Sequence, residues 1–319
     1  MFAFSNYDYK NLKKWTFLLP ICVIVALLLV KFTPLGVSIN GSRRWLSLVF
    51  FRFQPSEVSK MAMIMLLASA FSLKKKEYKR YFLHFAIPII AMIAVVLKQP
   101  NLSMTIILLS IMGCMYICSG KSLKILYVSL VMMACLVGLF RIHVLELSDF
   151  LEPYQIERLR YALHPERDIQ GSGYQVFHSL IAISSGGVMG AGYGASKEKL
   201  GYIPEAHNDF IFAIIAEEMG FFGSLLIICL FWTLLHRGLI IAFRCPDLYG
   251  RLLAAGISIA ITMQGFFNIA VASARLPATG ITLPFISYGG SSLVVTMCMI
   301  GVLLNISKKR IKRIGNKYA

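Results

Sequence analysis

Acidic residues are scarce in this sequence: 15 Asp and Glu stand against 32 Lys and Arg, and charged residues make up only 15% of its 319 positions. A soluble globular chain carries about a quarter of its residues as charges, so water is not the main solvent of this one. A phosphate-binding loop, metal-ligand spacing and a nucleophile elbow are also missing, which leaves ATP-driven transport and covalent serine chemistry without a footing. Of seven cysteines, Cys22, Cys114, Cys118, Cys135, Cys229 and Cys298 lie in apolar runs without ligand companions, and they read as small interior residues. There is no fixed-period repeat and no low-complexity tail. The N-terminus has no small-residue cleavage site, and its first apolar run follows acidic and aromatic residues, so that run reads as an inserting span and not as a removable signal.

What fills the chain is hydrocarbon: 57% of residues are hydrophobic, with a mean hydropathy of +0.71. Apolar runs predict helices near 14–31, 57–73, 82–98, 102–119, 122–140, 208–235, 249–271 and 283–306, an all-α polytopic transmembrane bundle of about eight spans forming one domain over 1–319. The net charge of +17 does not point to nucleic acid, because the basic residues fall between the apolar runs. Lys10, Lys13 and Lys14 precede the first run, and Lys74 to Arg80 follow the second. Lys121 and Lys124 follow the fourth, Arg237, Arg244 and Arg251 the sixth, and Lys308 to Arg313 the last. Alternating spans put all of these clusters on one side, so both termini are expected to be cytoplasmic.

The opposite face then receives 32–56, the turn at 98–101, the long stretch 141–207 and 272–282. A connection as long as 141–207 is expected to be functional or to contain its own helix. Tyr174 to Ser184 is amphipathic and reads as an interfacial or re-entrant helix, leading into a glycine-rich flexible rim.

Polar groups at membrane depth are costly and mark candidate sites. Asp209, directly after the outer stretch, suits a general base; the structural alternative is that Asn208 or Asp209 caps the helix that follows. Glu217, eight positions on, shares its helix face more nearly than Glu218 does, with a structural hydrogen bond to another span as the alternative. Arg43 and Arg44 offer planar donors for a phosphate, against simple snorkelling to headgroups. Lys60, three residues after Glu57, suggests a buried pair or a polar cavity. Gln99 and Pro100 mark a turn. Arg158, Arg160, Arg167 and Lys197 add positive charge to the outer stretch, fit to gather an anionic substrate. Ser287, Gly289 and Gly290 in LPFISYGGSSL allow close backbone approach, for helix packing or for a ligand.

NGSRRW, FQPSEVSK, KQPNLS, GSGYQ, KLGYIPEAHNDFIFAIIAEEMG and LPFISYGGSSL, in this order and spacing, resemble the SEDS family of FtsW, RodA and SpoVE over nearly the whole chain. The PEAH form is closer to the division branch than to the elongation branch. The resemblance implies a peptidoglycan glycosyltransferase that polymerises lipid II into glycan strands on the outer face of the bacterial cytoplasmic membrane, at the division septum. It implies a class B penicillin-binding protein and other division proteins as partners. Asp209 takes the place of the essential family aspartate. Arg43, Arg44, Lys60, Gln99, Arg158, Glu205, His207, Glu217, Ser287, Gly289 and Gly290 become candidate substrate contacts, and a divalent cation, Mg or Mn, a candidate aid to charge neutralisation. A lipid II flippase and a non-catalytic divisome scaffold are the alternatives. The chain departs from the family pattern in four ways. Its start resembles the third of ten family spans, as though two were missing. The usual QPD reads Gln99, Pro100, Asn101; HTDF reads His207, Asn208, Asp209, Phe210; PTKG reads Pro277, Ala278, Thr279, Gly280.

Overall fold

The computed structural model describes residues 1–39, 42–48, 51–99, 101–121, 173–204, 206–276 and 280–318, the last nine by backbone alone. The expected span 122–140, Arg158, Arg160, Arg167, Pro100, Glu205 and Pro277 to Thr279 lie outside the described residues.

The first compact unit comprises Met1–Gly120, Trp232–Met263 and Gly289–Ala319. It opens with a short helix, α1 (Phe2–Asn6), and a 3-10 segment Tyr9–Trp15, followed by α2 (Leu18–Phe32). After the strands come α3 (Pro55–Ser72), α4 (Lys75–Lys98) and α5 (Leu102–Cys118). Each start is chemically marked: Pro55 occupies the first turn of α3, where its missing N–H costs nothing. Lys74 and Glu77 form a capping box on α4, and the Asn101 side chain accepts from Met104 N at 3.3 Å to cap α5. α3 is the core of this unit. Ala62, Met63, Ile64 and Leu66 are fully buried, as are Ser56 and Ser59, because α2, α4 and α5 pack around it.

The 32–56 segment adds a small sheet to the helical bundle. It forms an antiparallel sheet of β1 (Gly36–Ile39), β2 (Ser42–Leu48) and β3 (Phe51–Phe53), in the order β1-β2-β3. Pairing runs Val37 to Trp45 and Ile39 to Ser42, then Leu46 to Phe53. Arg43 supports it by donating from Nε to Gly36 O at 3.0 Å and from its far end to Thr33 O.

The N-terminal segment is stitched into the same unit. Tyr9 N donates to Asn305 Oδ1 at 3.0 Å and Asn305 Nδ2 to Ser5 O at 3.0 Å. The Tyr9 hydroxyl donates to Asp247, and Lys309 pairs with Asp8.

The second unit comprises Lys121–Phe231 and Gln264–Tyr288. It contains α6 (Tyr174–Ser185), where the amphipathic patch predicted a helix, and the first part of α7 (Ile211–Phe243). It also takes the end of α8 (Leu248–Ala272), whereas α9 (Gly290–Tyr318) belongs to the first unit. The stretch after α6 is hydrogen-bonded to α7. Ala191 N and Gly192 N donate to the carbonyls of Glu217 and Glu218 at 2.9 and 3.1 Å, and Phe221 N donates to Gly187 O at 2.9 Å. These bonds replace helical ones where α7 breaks at Gly220 (φ 62°, ψ −156°). Glycine is needed there because a Cβ on Gly186, Gly190 or Gly220 would overlap backbone atoms of the facing segment.

Among the described residues, four helices are long and apolar enough to cross a membrane: α4, α7, α8 and 290–309 of α9. A fifth is counted if the bent pair Tyr9–Trp15 and Leu18–Phe32 is one span. Only 17% of the apolar window is buried in α4 and in α7, against 78% in α8, so α4 and α7 present their hydrocarbon outward, as a lipid solvent allows. Such an outward apolar surface makes this an integral membrane protein. It also corrects the reading of Cys22, Cys118 and Cys229, which are exposed on such surfaces and not interior. Cys135 lies outside the described residues.

Candidate active site

Asp209 sits in the turn immediately before α7, half-buried, between exposed His207 and buried Phe210. Three successive main-chain carbonyls here are each held by a different donor. Tyr288 N donates to His207 O at 3.0 Å, Ser287 Oγ to Asn208 O at 2.5 Å, and Asn268 Nδ2 to Asp209 O at 2.7 Å. The backbone around the carboxylate is thereby fixed from outside, by 280–288 and by α8.

The 280–288 segment is itself strained and braced. Phe285 has a φ of 70°, a left-handed conformation that costs a bulky residue on the order of 1–3 kcal/mol. Leu283 O accepts from both Ile286 N and Ser287 N, while Ser287 Oγ accepts from Leu283 N at 2.6 Å. Ser287 thus closes its own turn and reaches Asn208 with the same hydroxyl. It was a candidate substrate contact; its observed partners are within the protein.

Glu217 is 3% exposed and has both carboxylate oxygens engaged. Oε1 accepts from Lys197 N at 2.9 Å and Oε2 from the Ser196 hydroxyl. A structural hydrogen bond was one reading of Glu217, but its partner is the outer connection and not another span. Glu218 joins in by pairing with Lys199 at 2.6 Å. His178 of α6 meets Glu198 at 2.7 Å.

The remaining candidates belong to the first unit, which carries its own buried polar cluster. Lys60 Nζ lies 2.7 Å from Glu57 Oε2, with side chains 2% and 5% exposed. Asn101 Nδ2 donates to Ser56 Oγ at 3.4 Å, and Gln99 Nε2 donates to Leu27 O at 2.7 Å, tying α4 to α2. Where the family pattern has a carboxylate, Asn101 serves as a cap and an amide donor. Arg43 holds the carbonyls of Thr33 and Gly36, and Arg44 is half-buried beside it on β2. Among the described residues, a Cβ on Gly290 would meet nothing within 4 Å.

Asn268 and Gln264 were not among the expected site residues. A lone Asn in FFNIAVA looks like an ordinary interior amide, but two carboxamides four apart in an apolar helix were a legible signal, since that spacing puts both on one face.

The chain matches the family model for cell cycle proteins of the FtsW, RodA and SpoVE type over residues 1–312. It is 39% identical to the stage V sporulation protein E of Bacillus subtilis over 312 residues, covering 97% of this chain and 83% of that one. It is 40% identical over 301 residues to the probable peptidoglycan glycosyltransferase FtsW of Nitrosomonas europaea, covering 91% and 75%. Among solved structures it superposes on a chain of a peptidoglycan synthase complex that coordinates polymerization and crosslinking, with TM-score 0.78, 29% identity, and 97% and 85% covered. It also superposes on the rod shape determining protein RodA of Thermus thermophilus, with TM-score 0.67, 26% identity, and 97% and 83% covered. With a whole-length family match, close sequence relatives and a shared fold, this protein belongs to the FtsW/RodA/SpoVE family.

Proposed function

We propose that this protein is a peptidoglycan glycosyltransferase that polymerises lipid II into glycan strands during division, with Asp209 as its general base. The observation that carries this reading is the capture of three successive carbonyls at His207, Asn208 and Asp209. A general base contributes only when its position is set in advance of the reaction. The Asp209 carboxylate takes the proton of the acceptor sugar's 4-hydroxyl as that oxygen bonds to the donor's anomeric carbon. The bond from that carbon to undecaprenyl diphosphate breaks with its electron pair on the leaving diphosphate. An inverting displacement of this kind needs a single base at the attacking oxygen. Arg43, Arg44 and Arg158 are proposed to attract the diphosphate by charge, whereas Lys60 is already answered by Glu57.

Among the described residues no three His, Cys, Asp or Glu side chains converge. A magnesium or manganese ion is proposed to help neutralise the leaving diphosphate, since Mg2+ binds through one or two carboxylates and phosphate oxygens. The membrane is the bacterial cytoplasmic membrane at the septum, with both termini inside, as the basic clusters indicate. The partner is a class B penicillin-binding transpeptidase, together with other division proteins.

The test is lipid II polymerisation by the purified protein with its cognate transpeptidase, glycan strands being resolved on a gel. Asp209→Ala and Asp209→Asn are expected to lose at least about 100-fold in rate while remaining folded and partner-bound. Full-rate strand synthesis by Asp209→Asn would remove the base assignment. An inert but intact wild-type complex would favour a scaffold.

A further inference from the structure

Asn268 is wholly buried in α8, and its carboxamide nitrogen holds two main-chain carbonyls, Asp209 O at 2.7 Å and Ile281 O at 2.6 Å. Two carbonyl partners require the amide nitrogen on that side, so both its protons are committed. Its Oδ1 is buried with no hydrogen-bonding partner among the described residues. An orphaned buried oxygen is destabilising, so a leucine of similar volume would pack there without that penalty. What the amide provides is the pair of bonds from its nitrogen. One turn earlier, Gln264 Nε2 donates to Thr282 O at 3.0 Å and to Thr282 Oγ1 at 3.1 Å. The two amides form a short ladder on one face of α8, and Asn268 reaches beyond 281–282 to the residue carrying the carboxylate.

We propose that Asn268 is the positioning residue for Asp209. It fixes the Asp209 main chain against the turn that also supplies Ser287 and Tyr288, so the carboxylate meets the acceptor hydroxyl in one geometry. The inference rests on the reading of Asp209 as the base. Loss of the bond leaves substrate binding in place and misplaces the proton acceptor. Displacements of about 1 Å cost on the order of 100-fold in rate.

The experiment compares wild type, Asn268→Ala, Asn268→Gln, Gln264→Ala and Asp209→Asn, each in complex with the cognate transpeptidase. Strand synthesis is followed against lipid II concentration and against pH, and each rate is normalised to the folded fraction from size exclusion and thermal melting. Asn268→Ala is expected to lower kcat by about 10- to 100-fold with KM changed less than about threefold, and to move the acid limb of the kcat/KM profile. Gln264→Ala, which loses two bonds to Thr282 while the Asn268 bond to Asp209 O stays in place, is expected to lower kcat per folded molecule by less than Asn268→Ala does. If Asn268→Ala does not fold, Asn268→Gln, with the same donors one methylene displaced, is expected to fold with the same kcat-specific defect. Unchanged kcat per folded molecule in the folded Asn268 variant, beside an inactive Asp209→Asn, overturns the positioning role alone. Full activity in Asp209→Asn overturns the base reading and the positioning role with it.

Discussion

The Glu57–Lys60 pair shows how much a single charge can weigh in this chain. Both side chains are almost fully buried, and the two charges face each other at 2.7 Å. Lys60→Met is expected to destabilise the protein by about 3–5 kcal/mol, because it leaves the Glu57 carboxylate unanswered. The double variant Glu57→Gln with Lys60→Met recovers most of that loss, and melting of the detergent-solubilised protein distinguishes the two. The sequence offered this pair by its spacing, and it offered Asp209 as a candidate base, with helix capping as the alternative, by the cost of a carboxylate at membrane depth. It did not reveal what holds Asp209. The holding contacts run from Asn268, Ser287 and Tyr288 to main-chain oxygens, which every residue possesses and no side-chain pattern betrays.

Among the elements, α7 carries the clearest departure from a regular span. Its 33 residues would reach roughly 50 Å as one straight helix, well beyond the ~30 Å hydrocarbon core. The break at Gly220 divides it, and residues 221–243 alone reach roughly 34 Å. Carbonyls freed at the break are answered by the backbone of 191–192, so the outer connection completes the helix. Gly190→Ala would place a methyl against the Glu218 carbonyl at a φ of +82°, whereas Gly194→Ala has the same φ and meets nothing within 4 Å among the described residues. The second variant is expected to cost about 1–2 kcal/mol, the ordinary left-handed penalty. The first is expected to cost clearly more and to expose 186–200 to protease, as limited proteolysis of the two variants would reveal. The existence of the helices was legible from apolar runs, and α6 from its amphipathic pattern. The break was not, because EEMGFFGS reads as a continuous helix until its neighbour is known. The sheet was missed for another reason. GVSI and SRRWLSL flank Asn40 and Gly41, a strong hairpin signal, but they sit where a bilayer reading looks only for a connection.

For the molecule as a whole, one source of acid sensitivity lies outside the membrane, where the N-terminal segment meets the turn before α8. Burial raises the Asp247 carboxyl, but the Tyr9 hydroxyl, the Gly250 amide and Lys10 outweigh it and hold the group below its ordinary value. A carboxyl lowered on folding stabilises above its unfolded pKa, and that stabilisation is lost as pH falls through the folded value. The melting temperature is therefore expected to hold from neutral pH to about 5 and to fall below about 4, with a shallower fall in Asp247→Asn. The family was legible across the chain because its motifs are short and widely spaced, and they survive the substitutions at 101, 208 and 279. The pinned carbonyls at 207–209 give one of those substitutions a meaning. The three bonds that pin 207–209 end on peptide oxygens, which asparagine and threonine offer alike. The asparagine at 208, where the family pattern has threonine, therefore leaves those three bonds open to the backbone that carries the carboxylate.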